Sequence, residues 1–313
     1  MANGHSGEAT QSSPPIDRAT ELRARPEAIE ALARADSAVV ILHRGTAAPV
    51  SGGSREPRLV RLPASTVLEA GVPFADMSFL GLLDRTALFG FELPEGSDDL
   101  LPSDVRWLEL VVASMTLSAD DAGLVNYIVG LSNWRRTHVF CPRCGQAYSL
   151  GEGGHLMVCP SGHRSHPRVE PVVQMLVHDG DRCLLGRSRG WPAGWFSTLA
   201  GFVEPGETPE QATVREVHEE ARLDVLDVHY SGAQFFAGPY SLMLGFIARV
   251  ADAAVATPGE ELEAVISPTR GELRDMLAGD TVKTPAPRAL AGSLIDGWLE
   301  APARPTSERW HSP

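Results

Sequence analysis

The apolar residues of this chain follow two spacings, and the spacing changes along its length. Residues 171–178 (PVVQMLVH) are almost continuously apolar and run into Asp179-Gly180. That predicts a buried strand, a tight hairpin turn and a partner strand over 182–186. Residues 225–230 and 241–250 read as further strands. Residues 270–277 and 290–299 place apolar positions at helical spacing, with Leu294, Ile295 and Trp298 on one face. Nearer the N-terminus, 38–42 (AVVIL) and 87–91 (ALFGF) read as buried strands, and the Gly/Ser/Arg/Pro stretch between them as a loop. Residues 18–35 predict a helix through Leu22, Ile29 and Leu32, and 107–136 predict two helices broken near 118–123. Residues 1–16 and 301–313 are polar and predict disordered ends, with Trp310 a candidate for docking. The pattern is α/β in two parts: a mixed α/β domain over 17–136 and a second over 169–300, separated by a cysteine-bearing segment, 137–168.

The second part is organised around residues 201–223 (GFVEPGETPEQATVREVHEEARL), a glycine turn followed by a helix. Thr208 suits the N-cap, Pro209 the first helical position, and Gln211 completes a T-x-x-Q capping box. Glu216, Glu219 and Glu220 are three and four residues apart, so they share one flank. Like charges at that spacing weaken a helix unless something positive lies among them. A hard cation such as Mg²⁺ takes oxygen ligands and bridges to phosphates. Glu207 adds a fourth carboxylate ahead of the helix, and Arg215 a cation that could orient it. The competing reading is a solvated acidic face.

Composition narrows the partners. The chain has 313 residues, 43% of them hydrophobic, enough for two domains with real cores. Its net charge of −13 disfavours broad nucleic-acid or membrane-surface binding, though not a local basic pocket. No run approaches a membrane span and no N-terminal signal pattern is visible, so a cytoplasmic location is the expectation. Three of the four cysteines cluster, which suggests a metal site in a reducing compartment. Cys141 and Cys144 form a C-x2-C knuckle suited to tetrahedral zinc, and Cys159 follows fourteen residues later. A fourth ligand is needed. His163 is the best substitute and His166 the second; three free cysteines that have lost their metal are the alternative. Cys183, within an apolar strand, reads as a core thiol.

Gly201, Glu207 and the run Arg215-Glu216-Val217-His218-Glu219-Glu220, at these separations, resemble the Nudix box. That loop–helix–loop belongs to a family that hydrolyses nucleoside diphosphates linked to another group. One departure is visible: the family glycine after the helix is Arg222 here. A residue other than glycine at such a left-handed helix end costs about 1 kcal/mol. Further stretches resemble one branch, the NADH pyrophosphatase (NAD⁺ diphosphatase) family. Residues 134–145 resemble the entry to its zinc ribbon, 166–171 the exit, 199–207 its form of the box, and Ser241-Leu-Met243 the tail of its specificity motif. Residues 284–298 resemble its C-terminal helix and 17–150 its variable N-terminal domain.

The resemblance implies a Nudix α/β/α sandwich preceded by the mixed α/β domain and a zinc-ribbon segment. It implies Mg²⁺ or Mn²⁺ at Glu216, Glu219, Glu220, Glu260 and Ala200, with Glu207 and Arg215 completing the catalytic set. It also implies structural Zn²⁺ at Cys141, Cys144, Cys159 and His163. Phe202 would stack on an aromatic ring of a dinucleotide, Gln234, Phe236 and Ser241 would line the pocket, and Ala291 would approach it from the last helix. His166 falls where the family often has a tyrosine that stacks across a homodimer interface, which favours His163 as the zinc ligand. The implied reaction gives nicotinamide mononucleotide and AMP from NAD(H), with no membrane partner.

The specificity motif departs most: the family's Ser-Gln-Pro-Trp-Pro-Phe-Pro-x-Ser-Leu-Met reads Ala233-Gln-Phe-Phe-Ala-Gly-Pro-Tyr-Ser-Leu-Met243 here. Two prolines are lost, which loosens the loop. Other nucleoside diphosphate derivatives such as ADP-ribose, NAD caps on RNA, and a non-catalytic nucleotide sensor are therefore the alternatives.

Overall fold

A computed structural model describes residues 16–53, 56–236, 238 and 240–301. The expectations for the chain ends, Trp310 included, lie outside the described residues, apart from Ile16 and Ala301. The chain divides into two units. One comprises the described residues up to Val169 together with Phe236–Ser241; the other comprises Glu170–Phe235 and the described residues from Leu242 on.

The N-terminal unit begins with two short helices, α1 (Thr20–Arg23) and α2 (Pro26–Ala33), where one helix over 18–35 was expected. Pro26 explains the split, since proline starts a helix far more readily than it continues one. Strands β1 (Val39–His43), β2 (Ala47–Ser51), β3 (Arg58–Leu59) and β4 (Arg61–Pro63) follow, then α3 (Ala64–Glu69), β5 (Ser78–Leu83) and β6 (Thr86–Glu92). The expected strands at 38–42 and 87–91 are β1 and β6, which pair in parallel with Val40 opposite Phe89. The stretch between them is not the single loop its composition suggested. It supplies four more strands and a helix; β2, β3 and β4 are too short and too rich in Pro, Arg and Ser to show a period. β7 (Arg106–Glu109) likewise occupies the start of a region expected to be helical. Helices α4 (Leu110–Thr116) and α5 (Ala119–Thr137) complete that region, and Ser118 Oγ caps α5 by accepting from the Asp121 N–H.

The strands form two sheets, β4-β1-β6-β5 and β3-β2-β7. Ile29, Val40, Leu42, Phe79 and Phe89 lie in the core of the unit. Three further strands, β8 (Ser149–Gly151), β9 (Leu156–Val158) and β10 (Arg164–Ser165), make the small antiparallel sheet of the cysteine segment.

The second unit is a sandwich around one sheet. Its strands are β11 (Glu170–His178), β12 (Cys183–Ser188), β13 (Leu199–Phe202), β14 (Val225–Phe236), β15 (Ser241–Val250) and β16 (Leu262–Ile266). They run in the order β14-β15-β11-β12-β16, and β13 also pairs with β11. The residues at either end of the β14–β15 connection cluster with the N-terminal unit. Side chains on β11 alternate between two cores. Val173, Met175 and Val177 pack with Ala212, Val217 and Ala221 of α6 (Pro209–Ala221). Leu176 packs in the second core with Leu273 of α7 (Arg270–Ala278) and with Leu290, Leu294, Ile295 and Trp298 of α8 (Leu290–Glu300). Complete burial of a side chain such as Val217 contributes about 1.5–3 kcal/mol. This is the α/β/α sandwich expected from the sequence. Among the described residues no helix is long and apolar enough to cross a membrane.

Candidate active site

The capping box forms as its sequence requires. The Gln211 N–H donates to Thr208 Oγ1 at 3.3 Å, and the Thr208 N–H donates to Gln211 Oε1 at 2.8 Å. With its start fixed, α6 ends at Ala221, and Arg222 takes the left-handed conformation at φ 57°. The strain expected of a non-glycine helix end is therefore present.

Gly201 differs from its expectation. It lies within β13, opposite Val173 of β11, and not in a turn. Its lack of a side chain answers a different demand: a Cβ there would collide with the carboxyl of Glu216.

Arg215 is the hub of the acidic cluster. Its Nε and Nη2 hold both oxygens of Glu207 at 2.7 and 3.0 Å. Nη1 donates to Glu216 Oε1 at 2.8 Å and to Glu219 Oε2 at 2.9 Å, and Nη2 also reaches the Phe202 carbonyl at 2.9 Å. Glu207 is itself held, its Oε2 accepting from the Glu204 N–H at 3.0 Å. The bonds from Arg215 and from this N–H keep its carboxyl below the usual range. The same pairing with Glu207 raises the guanidinium.

Deeper in, the balance reverses. Burial raises the Glu216 carboxyl despite its bond to Arg215. Glu220 is only 7% exposed, and its Oε2 is buried without a hydrogen-bond partner. Burial and the neighbouring Glu216 charge push its carboxyl up to about 8, against a bond from the backbone of Ala200. Two desolvated carboxyls repelling each other, one oxygen unanswered, form a donor set that suits a divalent cation bound through oxygen. Ala200, expected to contribute to the metal site, touches Glu220 directly.

The expected late acid, Glu260, is followed directly by a second glutamate, Glu261. Both are exposed, and the charge of Glu261 acts on Glu216 and Glu220. Backbone bonds bring this loop to the helix: the N–H groups of Thr257 and Gly259 donate to the carbonyls of Ala221 and Glu220 at 3.1 and 2.8 Å. Two adjacent glutamates in a loop carry no periodicity, so the sequence had no signal to separate them.

Phe202 is 53% exposed at the end of β13. Gln234, expected to line the pocket, has its Oε1 accepting from the Leu290 N–H at 2.8 Å and its Nε2 donating to the Arg288 carbonyl at 3.1 Å. Its amide thereby fixes the start of α8, where Ala291 is buried. Phe236 and Ser241 cluster with the N-terminal unit, as does the exposed His166. In that unit the loop residue Tyr240 adopts φ 59° and its hydroxyl lies 3.1 Å from Thr137 Oγ1.

The cysteine segment builds two knuckles of similar backbone. The Gly145 N–H donates to the Cys141 carbonyl, and the Gly162 N–H to that of Cys159, both at 2.8 Å. Each glycine has φ above 70°. In the second knuckle the position three after Cys159 is Gly162, and His163 follows one residue later with a longer side chain. His163 Nδ1 is 3.6 Å from Cys141 Sγ and 3.5 Å from Cys159 Sγ, and Cys144 Sγ is 3.6 Å from Cys159 Sγ. All four donor atoms lie within 4.8 Å of one another. A tetrahedron with Zn–S of about 2.3 Å and Zn–N of about 2.0–2.1 Å has edges of roughly 3.6–3.8 Å, so the group matches zinc. His166 is not among these atoms. Burial opposes ionisation of Cys141, yet bonds from the Tyr148 hydroxyl and the Arg143 and Cys144 N–H groups outweigh it and bring the thiol to about 6. Tyr148 was not anticipated; a tyrosine seven residues after a cysteine carries no pattern.

Comparison with known proteins gives two family matches: the NUDIX domain over residues 168–281 and the NADH pyrophosphatase zinc ribbon domain over 136–164. The NAD-capped RNA hydrolase NudC of Pseudomonas putida (strain F1) is 35% identical over 218 residues, covering 69% of this chain and 75% of that protein. The NAD-capped RNA hydrolase NUDT12 of Macaca fascicularis is 38% identical over 201 residues, covering 60% of this chain. The chain spans 44% of the length of that relative.

Proposed function

Because the chain belongs to the Nudix hydrolases that carry the NADH pyrophosphatase zinc ribbon, we propose that it hydrolyses the pyrophosphate bond of NAD(H). Water adds to one phosphorus, the bridging P–O bond breaks, and AMP and nicotinamide mononucleotide leave. The observation that carries the reading is the pair Glu216 and Glu220, desolvated side by side with a buried oxygen unanswered. Glu216, Glu219, Glu220 and a late acid, Glu261 or Glu260, would hold Mg²⁺ or Mn²⁺ together with Ala200. Such ions neutralise phosphoryl oxygens and lower the pKa of bound water.

The protein's own groups do the rest. Arg215 holds Glu207, Glu216 and Glu219 in one arrangement, which removes rotamer freedom before substrate arrives. Glu219 or Glu220 accepts the proton of the attacking water, and Glu219, 55% exposed, is the more open of the two. Phe202 offers its open face to a ring of the dinucleotide. Gln234 acts by holding the entry to α8, and Phe236, Ser241, His166 and Ala291 belong to the substrate-facing set. Cys141, Cys144, Cys159 and His163 would hold a structural Zn²⁺. Four unpaired cysteines suit a reducing cytoplasm, and we place the protein there as a homodimer.

The second reading is removal of NAD caps from RNA, the same bond with a longer leaving group, favoured by the names of both relatives. The test is turnover of NADH and of NAD-capped RNA with Mg²⁺, with products identified. Glu220→Gln should lower kcat by roughly two to four orders of magnitude with the fold retained. Wild-type turnover in that variant at saturating Mg²⁺ defeats the proposal.

A further inference from the structure

We propose that a cavity in the N-terminal unit binds a small zwitterion, with its anionic end on Arg136 and its cationic end on Glu92 and Asp76. The cavity measures about 470 Å³, within the range of small-molecule sites. One wall is the C-terminal end of α5, with Ser132, Arg135 and Arg136 on its last two turns; Leu150 and Met157 of the ribbon close another.

The lining carries two acids, Asp76 and Glu92, and two arginines. Arg135 is committed, since its Nη1 donates to Ser78 Oγ at 2.6 Å. Burial draws its guanidinium down, while the negative charges of Asp76 and Glu92 oppose that. Among the described residues neither acid forms an ion pair with Arg135. Arg136 is not paired with them either: among the described residues its guanidinium bonds to the neutral Asn133 Oδ1 at 2.7 Å and to no carboxylate. A site with groups of each sign that do not pair with each other, between apolar walls, selects a ligand that carries both charges on a flat or apolar body.

Ser132 adds a directed acceptor. His43, fully buried, has its Nδ1 3.0 Å from the Gly45 carbonyl, so Nδ1 carries the hydrogen. Its Nε2, 2.7 Å from Ser132 Oγ, must then accept from the hydroxyl. The lone pairs of Ser132 are left for a donor in the cavity, beside the acids. A ligand amide or ammonium meets that demand.

Two sources share this chemistry. Oxidised nicotinamide mononucleotide has a pyridinium ring, an amide and a phosphate; an aromatic amino acid has an ammonium, a ring and a carboxylate. The first source rests on the reaction proposed above. The experiment is calorimetric titration of the full zinc-loaded chain with oxidised nicotinamide mononucleotide, its reduced form and phenylalanine. The variants are Arg136→Ala and Glu92→Gln, each checked for an unchanged melting temperature.

Saturable binding of the oxidised nucleotide or of phenylalanine, weakened at least about tenfold by each substitution, is the expected result. Whichever zwitterion binds identifies the source. The reduced nucleotide lacks the ring charge and should bind more weakly than the oxidised form. Binding that survives both substitutions, no binding by either zwitterion at millimolar concentration, or equal binding of both redox forms overturns the proposal. NADH turnover without added ligand should be unchanged in Arg136→Ala. Loss of turnover in the wild type with zwitterion binding intact would defeat the hydrolase reading alone.

Discussion

The carboxyl of Glu216 occupies the space that a side chain at Gly201 would need. This relationship joins the strand before the box to the middle of its helix. Gly201→Ala should therefore move the carboxylate without touching its chemistry. We expect kcat to fall by roughly one to three orders of magnitude, in the range of a misplaced catalytic group, while the melting temperature changes little. Steady-state kinetics on Gly201→Ala beside Glu216→Gln checks this, and near-normal kcat in the alanine variant would refute it.

Arg222 can be relieved of its strain. It sits at φ 57° directly after α6, where glycine carries no steric penalty. Arg222→Gly should stabilise the protein by about 1 kcal/mol and leave kcat unchanged. Thermal unfolding of the two proteins side by side is the measurement; a lower melting temperature in the glycine variant would contradict it.

The ribbon should carry about one zinc per chain in protein purified without added metal. His163→Ala should lose most of that zinc and melt earlier, while His166→Ala should keep it, because the Nδ1 of His163 lies among the thiols. Elemental analysis decides: full zinc in His163→Ala would remove this histidine from the ligand set.

Acidification should destabilise the N-terminal unit through His155. Its Nε2 lies 2.8 Å from the Phe79 carbonyl, and burial, followed by the charge of Arg23, lowers its pKa to about 4. In the unfolded chain a histidine takes a proton near pH 6.5. The unfolded state therefore binds more protons between these values, and stability is full above about pH 6.5 and declines towards pH 4. His155→Gln, which keeps a donor for Phe79, should show a smaller loss of melting temperature between pH 7.5 and 5. An equal loss in both proteins would rule out His155 as the source.

What the sequence made legible was local. The capping box, the end of α6 and its left-handed residue depend on neighbours within four positions, and all are present as expected. The strands of the second unit were legible because β11, β12 and β15 are long and apolar. The strands at 47–51, 58–59 and 61–63 were not, because pairing partners elsewhere define them and proline and arginine mask their period. Gly201 shows the same limit within the site: its glycine was visible, but its reason lies fifteen residues away in Glu216. Gln234 is a further case: its amide bonds to the backbone of Arg288 and Leu290, a partnership more than fifty residues away that no local pattern shows.

The strain at Arg222 has one more consequence. In a helix that continued, the carbonyls of Glu220 and Ala221 would each accept from an N–H four residues further on. Because the chain turns left-handed at 222, both carbonyls stay open and receive the N–H groups of Gly259 and Thr257 instead. The interruption of α6 is thus the mould into which the loop bearing Glu260 and Glu261 is cast. Any substitution that let the helix run one turn further would withdraw both anchors and set the late acid adrift from Glu216 and Glu220, with no change to any carboxylate in the sequence.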